Sequence, residues 1–175
     1  MTQPQPSDLR SARDTAATAH VFAVVCLVVI GINVAFRVGR PLGAALFGDD
    51  KPWREDAQAI GLVLIALLPT FLFYEAVNQL RHALDHYRNG EFFATAAATR
   101  VAHAGDYALS ALAAVILVVP NLTAWVSQPG GGGGGLEVNL QNEFIGMIAF
   151  ALLISVAGRV LAAAAQLKAE NDSFV

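Results

Sequence analysis

The sequence predicts an all-α fold, a four-helix transmembrane bundle with a cytoplasmic amphipathic extension of the second helix. The chain has 175 residues, of which 55% are hydrophobic and only 14% are charged, whereas a soluble domain has about 25% charged residues. Its apolar residues are concentrated in four stretches without a charge in the middle, and about 20 apolar residues are enough for a helix to cross a bilayer. These stretches are residues 16–36, 59–77, 107–126 and 144–165.

These four spans account for most of the length, so residues 1–175 are predicted to form one integral membrane domain. The first span is predicted to be retained, because the apolar core of a secretory signal peptide has only about 7–15 residues. The run from Ala16 is longer and ends at Arg37. Its single cysteine, Cys26, lies among valines and leucines and is interpreted as a small apolar residue, since a reactive thiol needs an electropositive, partly exposed setting.

The second span is predicted to continue into the cytoplasm as an amphipathic helix to about Arg88. Its apolar positions are separated by four, three, four and three residues, which places them on one face of a helix. Asn89 and Gly90 are predicted to end it, because both favour the left-handed conformation found at helix C-termini. The apolar positions are Phe73, Val77, Leu80, Leu84 and Tyr87.

The turn after this helix is the candidate interaction site. Phe92 and Phe93 form an apolar pair at a bend, where aromatic residues can anchor at the membrane interface, and Phe93 is predicted to pack under the turn or at that interface. Thr95 is predicted to cap the next helix. We call residues 73–100 the elbow. The residues expected to carry its interactions are Leu84, Tyr87, Gly90, Phe92 and Phe93.

The connection between the third and fourth spans contains Pro129 followed by six glycines, residues 130–135. Because glycine loses the most backbone entropy on ordering, this connection is predicted to be a flexible exterior loop. It lacks the Gly-Lys-Ser/Thr sequence with which a phosphate-binding loop ends. Within the spans, Pro69 and Pro120 each remove a backbone donor and are predicted to bend their helices.

Small residues four positions apart in the last span favour close packing between helices in lipid. We interpret them as packing within the bundle rather than as a dedicated dimer interface. The two pairs are Ala151 with Ser155 and Gly158 with Ala162.

Charged residues predict the orientation. The two tails and the second connection contain seven of the Lys and Arg residues, and the first connection contains the other four. Because Lys and Arg prefer cytoplasmic flanks, both termini are predicted to lie in the cytoplasm.

The elbow sequence resembles that of a bacterial membrane family catalogued as domain of unknown function 2975. The resemblance rests on Leu80-Arg81-His82, on residues 87–93, on Gly105 before the third span and on the acidic tail at residues 166–172. It implies a four-helix protein of the bacterial inner membrane and no assigned reaction. Members are often encoded beside small helix-turn-helix regulators, so the resemblance also implies a regulatory or sensing role. The glycine run departs from the family pattern.

Histidine is the residue type most suggestive of a metal site here. His82 and His86 are four residues apart on one helix face, which makes them weak candidate ligands. Ala83 stands where the zinc-protease pattern requires a Glu after the first His, and no further cluster completes the site. We therefore predict no metal and no cofactor, and an enzyme is not expected, because no nucleophile elbow or paired carboxylates are present.

The function predicted from the sequence is non-enzymatic: a membrane sensor, regulator or scaffold acting through the elbow. The alternative is a subunit of a small oligomeric transporter or channel. The expected partners are the lipid bilayer, a cytoplasmic regulatory protein and further copies of the chain, without direct binding of nucleic acid. A continuous polar stripe along the spans would favour transport.

Overall fold

The computed structural model describes residues 6–47, 53–127 and 135–172. Residues 130–134 of the glycine run lie outside these ranges, so the prediction for them concerns a part of the chain that is not described. Nearly all of the described chain is helical. The elements are α1 Pro6–Phe47, α2 Trp53–Arg88, α3 Thr95–Ala113, a π-helical turn Ala114–Val118, α4 Val119–Ser127 and α5 Asn142–Asp172.

Four helical rods are long and apolar enough to cross a membrane, which confirms the predicted fold class. They are Arg10–Gly43, Glu55–Arg88, Thr95–Ser127 and Asn142–Asn171. Thirty or more residues at 1.5 Å each give about 45–50 Å, which exceeds the roughly 30 Å of the hydrocarbon core. Each rod contains one predicted span and extends beyond the bilayer interior.

The rods lie side by side in the order of the sequence. Helix α1 contacts α2, α2 contacts α3, and α3 contacts α5, whereas α1 and α5 do not approach each other in the described ranges. The bundle is therefore open, with α2 and α3 in the centre. We call the side where α2 meets α3 the elbow end, and the opposite side the loop end.

Helices α3 and α5 approach each other closely where they cross, as the small residues of the last span predict. A Cβ atom added to Gly158 would lie 2.2 Å from the backbone nitrogen of Ala102, and one added to Gly105 would lie 2.4 Å from that of Ser155. Such distances leave no room for a side chain. The two helices are therefore in backbone contact where the absence of Cβ atoms permits it.

The two intramembrane prolines have different surroundings. Helix α2 runs through Pro69 without interruption, whereas Pro120 is the second residue after the π-helical turn. Proline cannot donate to the carbonyl four residues earlier, which for Pro120 is that of Ile116. The backbone nitrogen of Asn139 donates to this carbonyl instead, at 3.1 Å.

Candidate functional site

Within the elbow, α2 ends in a Schellman motif. The Glu91 backbone N–H donates to the His86 carbonyl and the Gly90 N–H to the Tyr87 carbonyl, each at 3.0 Å. These are the two bonds that define the motif. Gly90 has a φ of 86°, a conformation that L-residues with a side chain rarely adopt. The left-handed helix end predicted at Asn89-Gly90 is thereby confirmed at Gly90.

A polar pair closes the same turn. The Nδ1 atom of His86 lies 2.6 Å from Oε2 of Glu91. These two residues hold the positions between which a Schellman motif usually has an apolar contact. The turn is thus fixed by two backbone bonds and one side-chain bond.

The aromatic residues of the elbow divide between two roles. Phe92 is half-buried and stacks on Tyr87, with ring centroids 6.3 Å apart and planes at 9°. Phe93 is 67% exposed and lies under the ammonium of Lys168, which is 4.0 Å from the ring centroid. Phe92 therefore packs within the turn, and Phe93 instead contacts the end of α5. Leu84, the remaining predicted site residue, is half-buried.

The ends of both outer helices reach the elbow. Nε of Arg13, on α1, donates to the Arg88 carbonyl at 2.7 Å. His20, also on α1, has Nε2 3.2 Å from Oδ1 of Asp85, close enough for an ion pair but not aligned for a hydrogen bond. With Lys168 on Phe93, the elbow is contacted from both sides. The two described ends of the chain therefore lie at the same end of the molecule.

The predicted cap of α3 is wrong by one residue. Ala94 is the N-cap, with extended backbone angles and no side-chain hydrogen bond, and Thr95 is the first helical residue. The Thr95 carbonyl accepts a bond from the Thr99 hydroxyl within the helix. The Ala94 carbonyl instead begins the helical ladder by accepting from Ala97 and Ala98. A threonine at the start of an alanine run gave the misleading signal.

His82 and His86 lie on one face of α2, but each contacts a different side chain. Nε2 of His82 is 3.1 Å from Nη2 of Arg81, so a cation stands beside it, while His86 faces Glu91. Across the described part of the chain, no group of three or more His, Cys, Asp or Glu residues has the geometry to hold a metal ion.

The predicted apolar stripe of α2 lines a groove. This cavity has a volume of about 390 Å³ and lies between α2, α3 and α5. Its α2 wall includes Phe73, Val77 and Leu80, and its floor on α3 includes Ala104 and Ala108. Three of the five predicted stripe positions therefore share this groove, whereas Leu84 and Tyr87 do not line it.

A polar stripe runs along the α2–α3 hairpin and was missed in the sequence. On α2 its members are three or four residues apart, and Gln79 accepts a 2.7 Å bond from Nη1 of Arg100 on α3. Because the two rods are antiparallel, this bond places the polar residues of α2 beside those of α3. Helical spacing on both rods was the signal that could have found it. The members are Glu75, Gln79, His82 and His86 on α2, and Arg100, His103 and Tyr107 on α3.

Beside this stripe, a charged network joins α3 to α5. The Ser155 hydroxyl donates to Oδ1 of Asp106 at 2.6 Å. Nη2 of Arg159 lies 3.1 Å from the other carboxylate oxygen. Ser155 is buried whereas both charged side chains are partly exposed. The network lies directly beside the glycine crossing and aligns the two helices.

The comparisons with known proteins give one match. Residues 10–175 match the family described as protein of unknown function (DUF2975). Neither the comparison with curated proteins nor that with solved structures found a match. The match covers nearly the whole chain, including all four rods and the elbow, and it agrees with the resemblance in the elbow sequence. The chain belongs to the DUF2975 family.

Proposed function

We propose that this protein is a sensor or scaffold of the bacterial inner membrane that acts through its elbow. In this proposal the elbow end and both termini face the cytoplasm, where a regulatory protein docks on the turn. The observation that carries the proposal is Phe93, a large aromatic side chain that is 67% exposed on a turn closed by a Schellman motif. A fixed turn loses little entropy when a partner binds.

The contacts of the elbow support a regulatory role. Arg13 holds the carbonyl of Arg88, and Lys168 lies on Phe93 itself. A partner that binds over Phe93 displaces Lys168 or packs against it. Displacement of Lys168 would move the end of α5. Movement of the α2 terminus would also shift α1, because Arg13 is bonded to the Arg88 carbonyl.

A site-specific cross-linker tests the docking surface. The photoreactive residue replaces Phe93 in one variant and Phe22 in the other. Phe22 is a matched control, because it is 69% exposed on α1 beside the valines of the first span. The expected result is a cross-link from position 93 to one soluble polypeptide and only lipid adducts from position 22. Equal labelling at both positions, or no protein adduct at position 93, would contradict the proposal.

A second candidate function, a subunit of an oligomeric transporter, is favoured by the polar stripe. Ionisable residues within candidate spans are costly unless they line a polar path or pair with one another. Because His20 contacts Asp85, the polar half of α2 lies at the same height along the bundle as the apolar run of α1 that begins at Val21. The stripe therefore lies at a depth where its neighbour is apolar.

Reconstitution into liposomes that contain a pH-sensitive dye tests this alternative. Transport along the stripe would give a proton or ion flux above that of protein-free vesicles, and Gln79→Leu would abolish it. Gln58→Leu, at the other end of α2, serves as the control. A flux equal to that of empty vesicles rejects the alternative and leaves the elbow proposal untouched.

A further inference from the structure

The segment that precedes α5, residues 135–141, is non-helical and bound to the rod formed by α3 and α4. The side chain of Asn121 makes two bonds with one residue of this segment. Its Nδ2 donates to the Glu137 carbonyl at 2.7 Å, and its Oδ1 accepts from the Glu137 N–H at 2.9 Å. The Asn139 N–H donates to the carbonyl of Ile116, to which Pro120 cannot donate because it has no N–H. The proline thus creates the docking position.

Polar and apolar residues of this segment have different surroundings. Glu137 and Asn139 face a cavity of about 440 Å³ beside α4, which Thr123 and Ser127 also line. The residues between and around them are apolar and do not line this cavity. These are Leu136, Val138 and Leu140, which are 81%, 51% and 55% exposed.

The segment lies below the tip of the rod. Ile116 precedes Ser127 by eleven residues, which is about 16 Å at 1.5 Å per residue. Asn139 is therefore held alongside the candidate span Thr95–Ser127 and not beyond its end. Trp125, an exposed aromatic residue of α4, lies at the same end of the molecule, where tryptophan is enriched at membrane interfaces.

We propose that residues 136–140 contact the lipid at the loop end of the molecule, with the side chains of Leu136, Val138 and Leu140 inserted among the lipids. The lipid surface is the fitting partner because these three side chains are apolar and exposed, as are many large side chains of the membrane-spanning rods beside them. Non-helical backbone can lie at such a depth only when its polar groups have partners. Asn121 and the Ile116 carbonyl provide them for Glu137 and for the Asn139 N–H.

Cysteine scanning tests the proposal. In a Cys26→Ala background, each residue from 136 to 140 is replaced in turn by cysteine and labelled with a small fluorophore. The protein is reconstituted with brominated lipids, which quench from the membrane, or is exposed to iodide, which quenches from water. We expect brominated lipid to reduce the fluorescence of Leu136→Cys, Val138→Cys and Leu140→Cys, and to have little effect on Glu137→Cys and Asn139→Cys.

Other patterns overturn the proposal. Iodide quenching at all five positions would show a solvated loop. Protection of the three apolar positions from both quenchers would show that protein covers them. A disulfide between copies of the Val138→Cys variant would identify that cover as a second copy of the chain.

Releasing the segment is an independent test. Asn121→Ala removes both bonds to Glu137, so the alternation should be lost and iodide quenching should rise at the apolar positions. Asn33→Ala, at an exposed asparagine of α1, should keep the alternation. Circular dichroism of each variant checks that the helices remain. Alternation that persists in Asn121→Ala would contradict the docking on which the proposal rests.

Discussion

At Gly90, one backbone torsion decides how the second and third helices connect. The φ of 86° directs the chain out of α2 and allows the N–H groups of Gly90 and Glu91 to reach the last carbonyls of the helix. The sequence predicted this residue correctly, because the requirement is local. It did not separate the roles of Phe92 and Phe93, because Lys168 lies more than seventy residues further along the chain.

Replacing Gly90 with alanine should strain the turn by about 1–2 kcal/mol, the cost of the left-handed conformation for a residue with a Cβ atom. Crowding contributes little, since the added Cβ would meet only the end of the Arg13 side chain, at 3.4 Å. Limited proteolysis with trypsin should show faster cleavage after Arg88. Gly31→Ala is the control, because that helical glycine has open space around it. Equal cleavage rates in the two variants would show that the turn is not held by Gly90.

Among the elements, the crossing of α3 and α5 is the contact least tolerant of added volume. The small residues at 151, 155, 158 and 162 predicted that α5 packs closely, but not which helix it meets. The structure pairs Gly158 with Ala102 and Gly105 with Ser155. Spacing within one helix identifies the packing face, whereas the partner and the relative register depend on contacts between distant parts of the chain.

Gly158→Ala should destabilise the protein by about 1–3 kcal/mol, the range for overpacking a tight contact. The new methyl group would overlap the backbone of Ala102, which cannot move away as a flexible side chain can. Thermal unfolding in detergent should show a lower midpoint than that of the parent. Gly146→Ala, on the same helix but with nothing within 4 Å of the added atom, should leave the midpoint unchanged. A similar loss in both variants would mean that glycine itself, and not the crossing, matters.

At the scale of the whole molecule, the arrangement restricts the topology to two orientations. The start of α1, the elbow and the end of α5 lie at one end, as the bonds from Arg13 and Lys168 show. The distribution of Lys and Arg, seven against four, predicts the orientation with this end in the cytoplasm.

Reporter fusions measure the orientation directly. A fusion after Val175 should report the cytoplasm, and one inserted in the glycine run at residues 130–135 should report the periplasm. Each position should carry both a cytoplasm-active and a periplasm-active reporter, so that a silent fusion is not misread. A periplasmic signal from the fusion after Val175 would reverse the proposed orientation and remove the elbow from contact with cytoplasmic proteins.

The sequence by itself determined the number of membrane-crossing helices, the continuation of α2 and the left-handed turn at Gly90. Each depends on composition or on spacing within a short window, where neighbouring residues set the energy. The tertiary structure alone decided the order of helices in the open bundle and the alignment of the polar stripes of α2 and α3. It also decided the docking of residues 135–141 on the rod formed by α3 and α4, through Asn121 and the carbonyl of Ile116. These features join residues far apart in the chain, and their energies depend on which groups the packed helices bring within bonding distance.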